Sequence, residues 1–246
     1  RLLSSTGPAG PVVASILRRI CAVLFFLYAA KWSIIGISSL YAELHFGWSA
    51  QRASILMTTW GIVQFLSMSF LALTDRFRAK SGRERRERIY TWAGLVTALV
   101  SMVIFSGAFA DWLLIPGMAI GAVSMVSYTA LASLAGRVSD PSMGGEVQCL
   151  VSTTLDLTEV VGPPVFGALM RWSLSPSNAG AVPPSAPFFL GVVLVLLGMA
   201  MQCRLQSTID ALAPAEQTPS ADMQARQSCE SDSPFGLLGK EEAPSP

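Results

Sequence analysis

The chain has 246 residues, 52% of them hydrophobic and only 13% charged, roughly half the charged share of a soluble domain. A formal net charge of +1 excludes nucleic-acid binding by bulk electrostatics. Four cysteines without a C-x-x-C, and one histidine (His45), give no basis for a disulfide scaffold, a metal site or a cofactor.

Residues 1–16, with Gly7-Pro8-Ala9-Gly10-Pro11, read as a cytoplasmic linker; because the chain opens on Arg1 rather than Met, further sequence is expected before it. Residues 17–205 read as a transmembrane domain. A helix needs about 20 apolar residues to cross a hydrocarbon core, and six stretches have that length: about 20–41, 53–73, 89–110, 112–135, 147–170 and 187–203. The first is too long for a signal-peptide core, and Tyr28 stands where a cleavage site needs a small residue. Seven basic residues crowd between Arg76 and Arg88, in the loop after the second stretch. The fourth carries Pro116, expected to bend it, and a G-x-x-x-G at Gly117 and Gly121, read as a close helix-packing surface. The fifth holds Pro163-Pro164, a further expected kink. Residues 206–246 are rich in Ser, Pro, Glu and Gln and read as a disordered cytoplasmic tail.

Lys and Arg set the orientation. Arg18, Arg19, the basic loop, Arg137 and Arg204 fall on one side, and only Arg52 and Arg171 on the other. Both ends of the chain are therefore expected in the cytoplasm. Trp48, Trp112 and Trp172 fall on the outer side, where interfacial indoles are favoured. Cys21, Cys149, Cys203 and Cys229 are expected to be free thiols in that reducing compartment.

The informative residues are charges inside apolar stretches. Lys31 lies at the midpoint of the first; Asp156 and Glu159, three apart, straddle that of the fifth. Each mid-bilayer charge costs about 2.5–3.5 kcal/mol on insertion scales, so all three should face the bundle interior. One reading is a structural salt bridge between two helices. The other is a polar cavity in which a carboxylate takes up a proton or binds a cation. Lys31 is expected to pair with Asp156 or Glu159, leaving one acid over. Gln64 and Thr153-Thr154 add polar candidates for the lining.

Three motifs carry a family resemblance. Asp75-Arg76, followed by Gly82-Arg83, resembles the D-R-x-G-R-[RK] loop of the major facilitator superfamily, with Leu71 in place of the leading Gly and a longer spacer. Gly145-x-x-Gln148, then Gly162-Pro163, is similar to the eleventh-helix pattern of tetracycline-efflux-type and hippocampus-abundant-transcript-like transporters, with Cys149 replacing a Gly. Phe46-Gly47-Trp48-Ser49 resembles the superfamily's seventh-to-eighth helix loop.

The resemblance implies an all-α, polytopic membrane protein whose six helices form one half of a major-facilitator fold, as two inverted three-helix repeats. It implies a secondary active transporter working by alternating access, with a small-molecule substrate, protons as coupling ion, the lipid bilayer, and an N-terminal half (same chain or second subunit) as partners. Asp75, Arg76, Gly82 and Arg83 would gate the cytoplasmic side. No G-x-x-x-x-G-K-[ST] is present for direct use of ATP. An intramembrane enzyme finds neither a G-x-S-x-G nor a second intramembrane Asp, so no enzyme is expected. A non-transporting scaffold or degenerate half-transporter is the other alternative.

Overall fold

The structure, a computed structural model, describes residues 10–77, 83–139, 143–175 and 182–216, and among them only helices and turns occur. The helices are α1 (Gly10–Ile35), α2 (Ser38–Phe46), α3 (Ala50–Phe77), α4 (Arg83–Ser106), α5 (Leu114–Val123), α6 (Val126–Val138), α7 (Gly144–Ser173) and α8 (Ala186–Glu216). The chain divides into two units, Arg1–Leu205 and Gln206–Pro246. Helix α1 begins inside the expected linker and α8 continues past the expected end of the sixth stretch; the rest of the expected disordered tail lies outside the described residues.

Among the described residues, five segments are long and apolar enough to cross a bilayer: Pro11–Phe46, Ala50–Thr74, Arg85–Ser106, Asp111–Val138 and Ala186–Ala211. The fifth expected span forms as α7, whose 30 residues rise about 45 Å, but it is not among those five. Asp156, Glu159, its hydroxyls and its two prolines dilute it. Hydroxyls are absorbed locally: Ser33 donates to the Ala30 carbonyl (2.7 Å), Ser124 to Gly121 (2.6 Å) and, in α7 itself, Thr158 to Leu155 (2.7 Å), which keeps polar groups satisfied in apolar helices.

Phe46-Gly47-Trp48-Ser49 turns the chain between α2 and α3. Gly47 has φ 66°, its N–H donates to the Glu43 carbonyl, and the Trp48 N–H reaches Ala42, a left-handed helix stop suited to glycine. Ser49 then caps α3, accepting from the Arg52 N–H at 3.3 Å. Trp48 is 5% exposed: its indole donates to Asp111 at 3.2 Å and the Arg52 guanidinium lies 4.3 Å above its ring. Trp112 and Trp172 are exposed.

Pro116 does not bend the fourth span. It occupies the first turn of α5, where an amide would lack a partner anyway. The break comes at Ser124–Met125, where the hydrogen bonds tighten to i→i−3. Here α4 approaches closely: a Cβ on Gly94 would meet the Ser127 side chain at 2.5 Å. The Gly117/Gly121 pair packs as expected, with Ser101 donating to the Gly117 carbonyl at 2.7 Å. Pro163 and Pro164 sit inside an unbroken α7.

Side-chain contacts fix the helix directions. Glu87 meets Arg137 and Gly94 meets Ser127, so α4 and α5–α6 are antiparallel. Arg52 meets Asp111 and Trp60 meets Gly121, so α3 runs with α5–α6. Cys21 meets Thr154 and Trp32 meets Gly162, so α1 and α7 are parallel. Ser33 and Met102 meet Gly191 while Phe26 and Leu95 meet Gly198, so α8 opposes both α1 and α4. Six long helical segments thus alternate in direction, and Arg19, in the first half of α1, donates to the Arg204 carbonyl at 2.8 Å.

Candidate functional site

Helix α7 carries the site because its exposed surface has two different edges. Gly145, Gln148, Ser152, Asp156, Glu159 and Pro163, at spacings of three or four, form one polar edge, and all are exposed. Beside it lie the exposed apolar residues Leu157, Val160 and Val161. The buried face comprises Val147, Val151, Thr158, Gly162, Phe166 and Met170. Such a helix presents a buried, a polar and an apolar side. The sequence singled out five members of the polar edge; Ser152 escaped because a serine in an apolar stretch carries no signal until the helix phase is known.

The buried face packs on α1. Trp32 lies against Gly162 so closely that a Cβ there would meet its ring at 2.5 Å. This close approach explains Gly162, one of the family-motif positions. Gly145, by contrast, has nothing within 4 Å of where its Cβ would stand. Pro163 and Pro164 cannot donate to the carbonyls four residues back, so those of Glu159 and Val160 lack their helical partners.

Lys31 turns to aromatic rings. Its ammonium lies 4.6 Å from the Tyr28 ring centroid and 5.9 Å from that of Trp32, within cation–π range. Tyr28 is fixed edge-on against Tyr128 of α6, with centroids 5.7 Å apart. Lys31 makes no ion pair within 4 Å with Asp156 or Glu159, so the expected direct salt bridge is absent. The rings compete for the ammonium because they are its own helical neighbours. Sequence reasoning passed over Tyr28, Trp32 and Tyr128, though Tyr28 and Lys31, three apart, could have flagged the first.

The other candidates lie apart. Gln64 accepts from the Trp60 indole at 2.7 Å, a local bond within α3. Asp75 and Arg76 fall in the last turn of α3, Arg83 opens α4, and Gly82 lies outside the described residues. Near that loop is a cluster the sequence reading missed. Glu87, 8% exposed, accepts from Arg137 at 2.6 Å and from Ser133 at 2.8 Å. It borders a cavity of about 60 Å³ with Leu71, Tyr90 and Thr129. Arg137 had been read only as a topology anchor. At the opposite end, Arg52 and Asp111 pair at 2.9 Å.

A sequence model of the Major Facilitator Superfamily matches residues 20–231. Two uncharacterized MFS-type transporters of Mycobacterium tuberculosis are similar: that of strain CDC 1551 / Oshkosh is 27% identical over 199 residues, and that of strain ATCC 25618 / H37Rv is 28% identical over 201. Each match covers 79% of this chain but 44% of the relative, so the chain spans less than half the length of the curated relatives it matches.

Proposed function

The chain belongs to the major facilitator superfamily, and from that premise we propose that it forms the C-terminal six-helix half of a secondary active transporter. This carrier, not an enzyme, moves a small solute by alternating access and couples that movement to protons. The observation that carries the reading is the polar edge of α7. Two carboxylates, Asp156 and Glu159, stand exposed in a bundle of apolar helices. Facing lipid they would be costly; facing a water-filled path between two halves they are solvated and useful. The likeness of Gly145, Gln148, Gly162 and Pro163 to the tetracycline-efflux-type pattern supports a proton antiporter.

In this account α7 is the fifth of six crossings, and the alternating helix directions support it. The start of α1, the Glu87–Arg137 cluster and Arg204 share one end of the bundle, where the basic residues concentrate. That end is cytoplasmic. The partner that completes the path is an N-terminal six-helix half, in the same chain or a second subunit. Asp75-Arg76 and Gly82-Arg83 act there as a gate that holds one access state closed.

The test is solute flux into vesicles holding the full-length protein. An imposed pH gradient is expected to drive accumulation that protein-free vesicles lack. Flux indifferent to the gradient would refute proton coupling. No protein-dependent flux across a broad solute panel would favour a non-transporting scaffold.

A further inference from the structure

Two donors on consecutive residues of α1 lack an acceptor among the described residues. The Lys31 ammonium, mid-way along an apolar segment, touches only the rings of Tyr28 and Trp32, at 4.6 and 5.9 Å from their centroids. It has no carboxylate within 4 Å and no hydrogen bond. The Trp32 indole Nε1 is buried and also without a partner. Rings offset only part of the cost of an ammonium at that depth, and a buried N–H without an acceptor adds a cost of its own. Asp156 and Glu159 of α7 stand exposed and without an ion pair. Helices α1 and α7 run parallel with Trp32 against Gly162. Counting from that contact at 1.5 Å per residue, Glu159 lies about 3 Å and Asp156 about 7.5 Å along the axis from the level of Lys31. Opposite charges thus share one depth on neighbouring helices and do not meet. The rings keep them apart: Tyr28 is 5% exposed and braced by Tyr128, while Trp32 is pressed onto the bare backbone of Gly162.

We propose that the solute is a small zwitterion, its carboxylate held by the Lys31 ammonium and the Trp32 indole N–H, and its ammonium by the acids on the polar edge of α7. The proposal rests on the carrier reading above and names the solute class for that path. A carboxylate has two oxygens, so it can accept from both donors at once and remove both deficits. A plain anion would satisfy the donors but meet two carboxylates nearby. A plain cation would satisfy the acids but leave Lys31 and the indole as they are. Only a solute with both charges matches both helices. Tyr28 and Trp32 then serve as positioning residues, holding the ammonium of Lys31 ready on the α1 side instead of letting it collapse onto α7.

Ligand-dependent melting of the full-length protein in detergent tests this without measuring transport, because a bound solute raises the melting temperature by mass action. The probes share one body and differ in charge: phenylalanine, its amide and 3-phenylpropanoate, with alanine, its amide and propanoate as a smaller set. In the native protein a zwitterion should bind at least tenfold more tightly than the cation and the anion of its own set. Lys31→Met should remove that advantage over the cation, Lys31→Arg should keep it, and Trp32→Phe, which retains a ring without the N–H, should weaken the zwitterion severalfold. The double variant Asp156→Asn with Glu159→Gln should bind the anion at least as tightly as the zwitterion. A native protein that prefers the anion or the cation, or that responds to neither zwitterion, would overturn the proposal, and this comparison needs no variant to fold. Zwitterion affinity unchanged by Lys31→Met would overturn it as well. Zwitterion binding without protein-dependent flux of any solute would instead overturn the carrier reading. Flux confined to solutes of a single charge sign would overturn the zwitterion assignment alone.

Discussion

Gly162 and Gly145 are two glycines of one motif with different physical reasons to be there. Any side chain on Gly162 must displace Trp32, whereas Gly145 faces open space. Gly162→Val is expected to destabilise the protein by about 1–3 kcal/mol through overpacking, and Gly145→Ala to be neutral or slightly stabilising in a helix. Thermal unfolding in detergent measures both, and equal effects would mean that the α1–α7 seam is looser than described. The glycine motif was visible in the sequence, but its division into packing and non-packing positions depends on which helix lies opposite. The same limit applies to Lys31. Its mid-span charge was plain in the sequence, whereas its preference for the Tyr28 and Trp32 rings depends on how α1 is turned.

At the scale of helices, two ion pairs tie neighbouring elements at opposite ends of the bundle. Glu87–Arg137 joins α4 to α6 with one partner nearly buried; Arg52–Asp111 joins α3 to the turn before α5 with both partners well exposed. A double-mutant cycle with Glu87→Gln and Arg137→Met should give a coupling of about 0.5–3 kcal/mol. The corresponding cycle at Arg52 and Asp111 should give about 0–1 kcal/mol, decreasing with salt. A coupling at the exposed pair equal to that at the buried one would contradict this ranking. Hydropathy located the five long apolar segments because apolar length is a local property, and the remaining expected stretch forms the more polar helix α7. Sequence reading misjudged Pro116 because a proline bends a helix only where it removes a bond, and at the first turn it removes none. The break at Ser124–Met125 left no proline or glycine signal at those two positions; it lies beside the close approach of α4 at Gly94.

For the whole molecule, the alternating passes and the Lys/Arg asymmetry together predict sidedness. A cysteine placed at Ser177, between α7 and α8, should react with an impermeant reagent from outside the cell or from the lumen of an organelle. Reaction only from the cytoplasm would invert the topology. Asp75→Asn should slow transport with expression intact, and unchanged transport would reduce that loop to an anchor. The central claim is that the polar edge of α7 faces water while its apolar neighbours face lipid. Cysteine scanning along α7 with a water-soluble maleimide measures this directly in membranes, using full-length protein whose own cysteines are replaced by serine. Cysteines at Gln148, Ser152, Asp156 and Glu159 should be labelled, and those at Leu157, Val160 and Val161 should not. Labelling that follows the apolar edge instead, or reaches none of these positions, would contradict a transport path along α7.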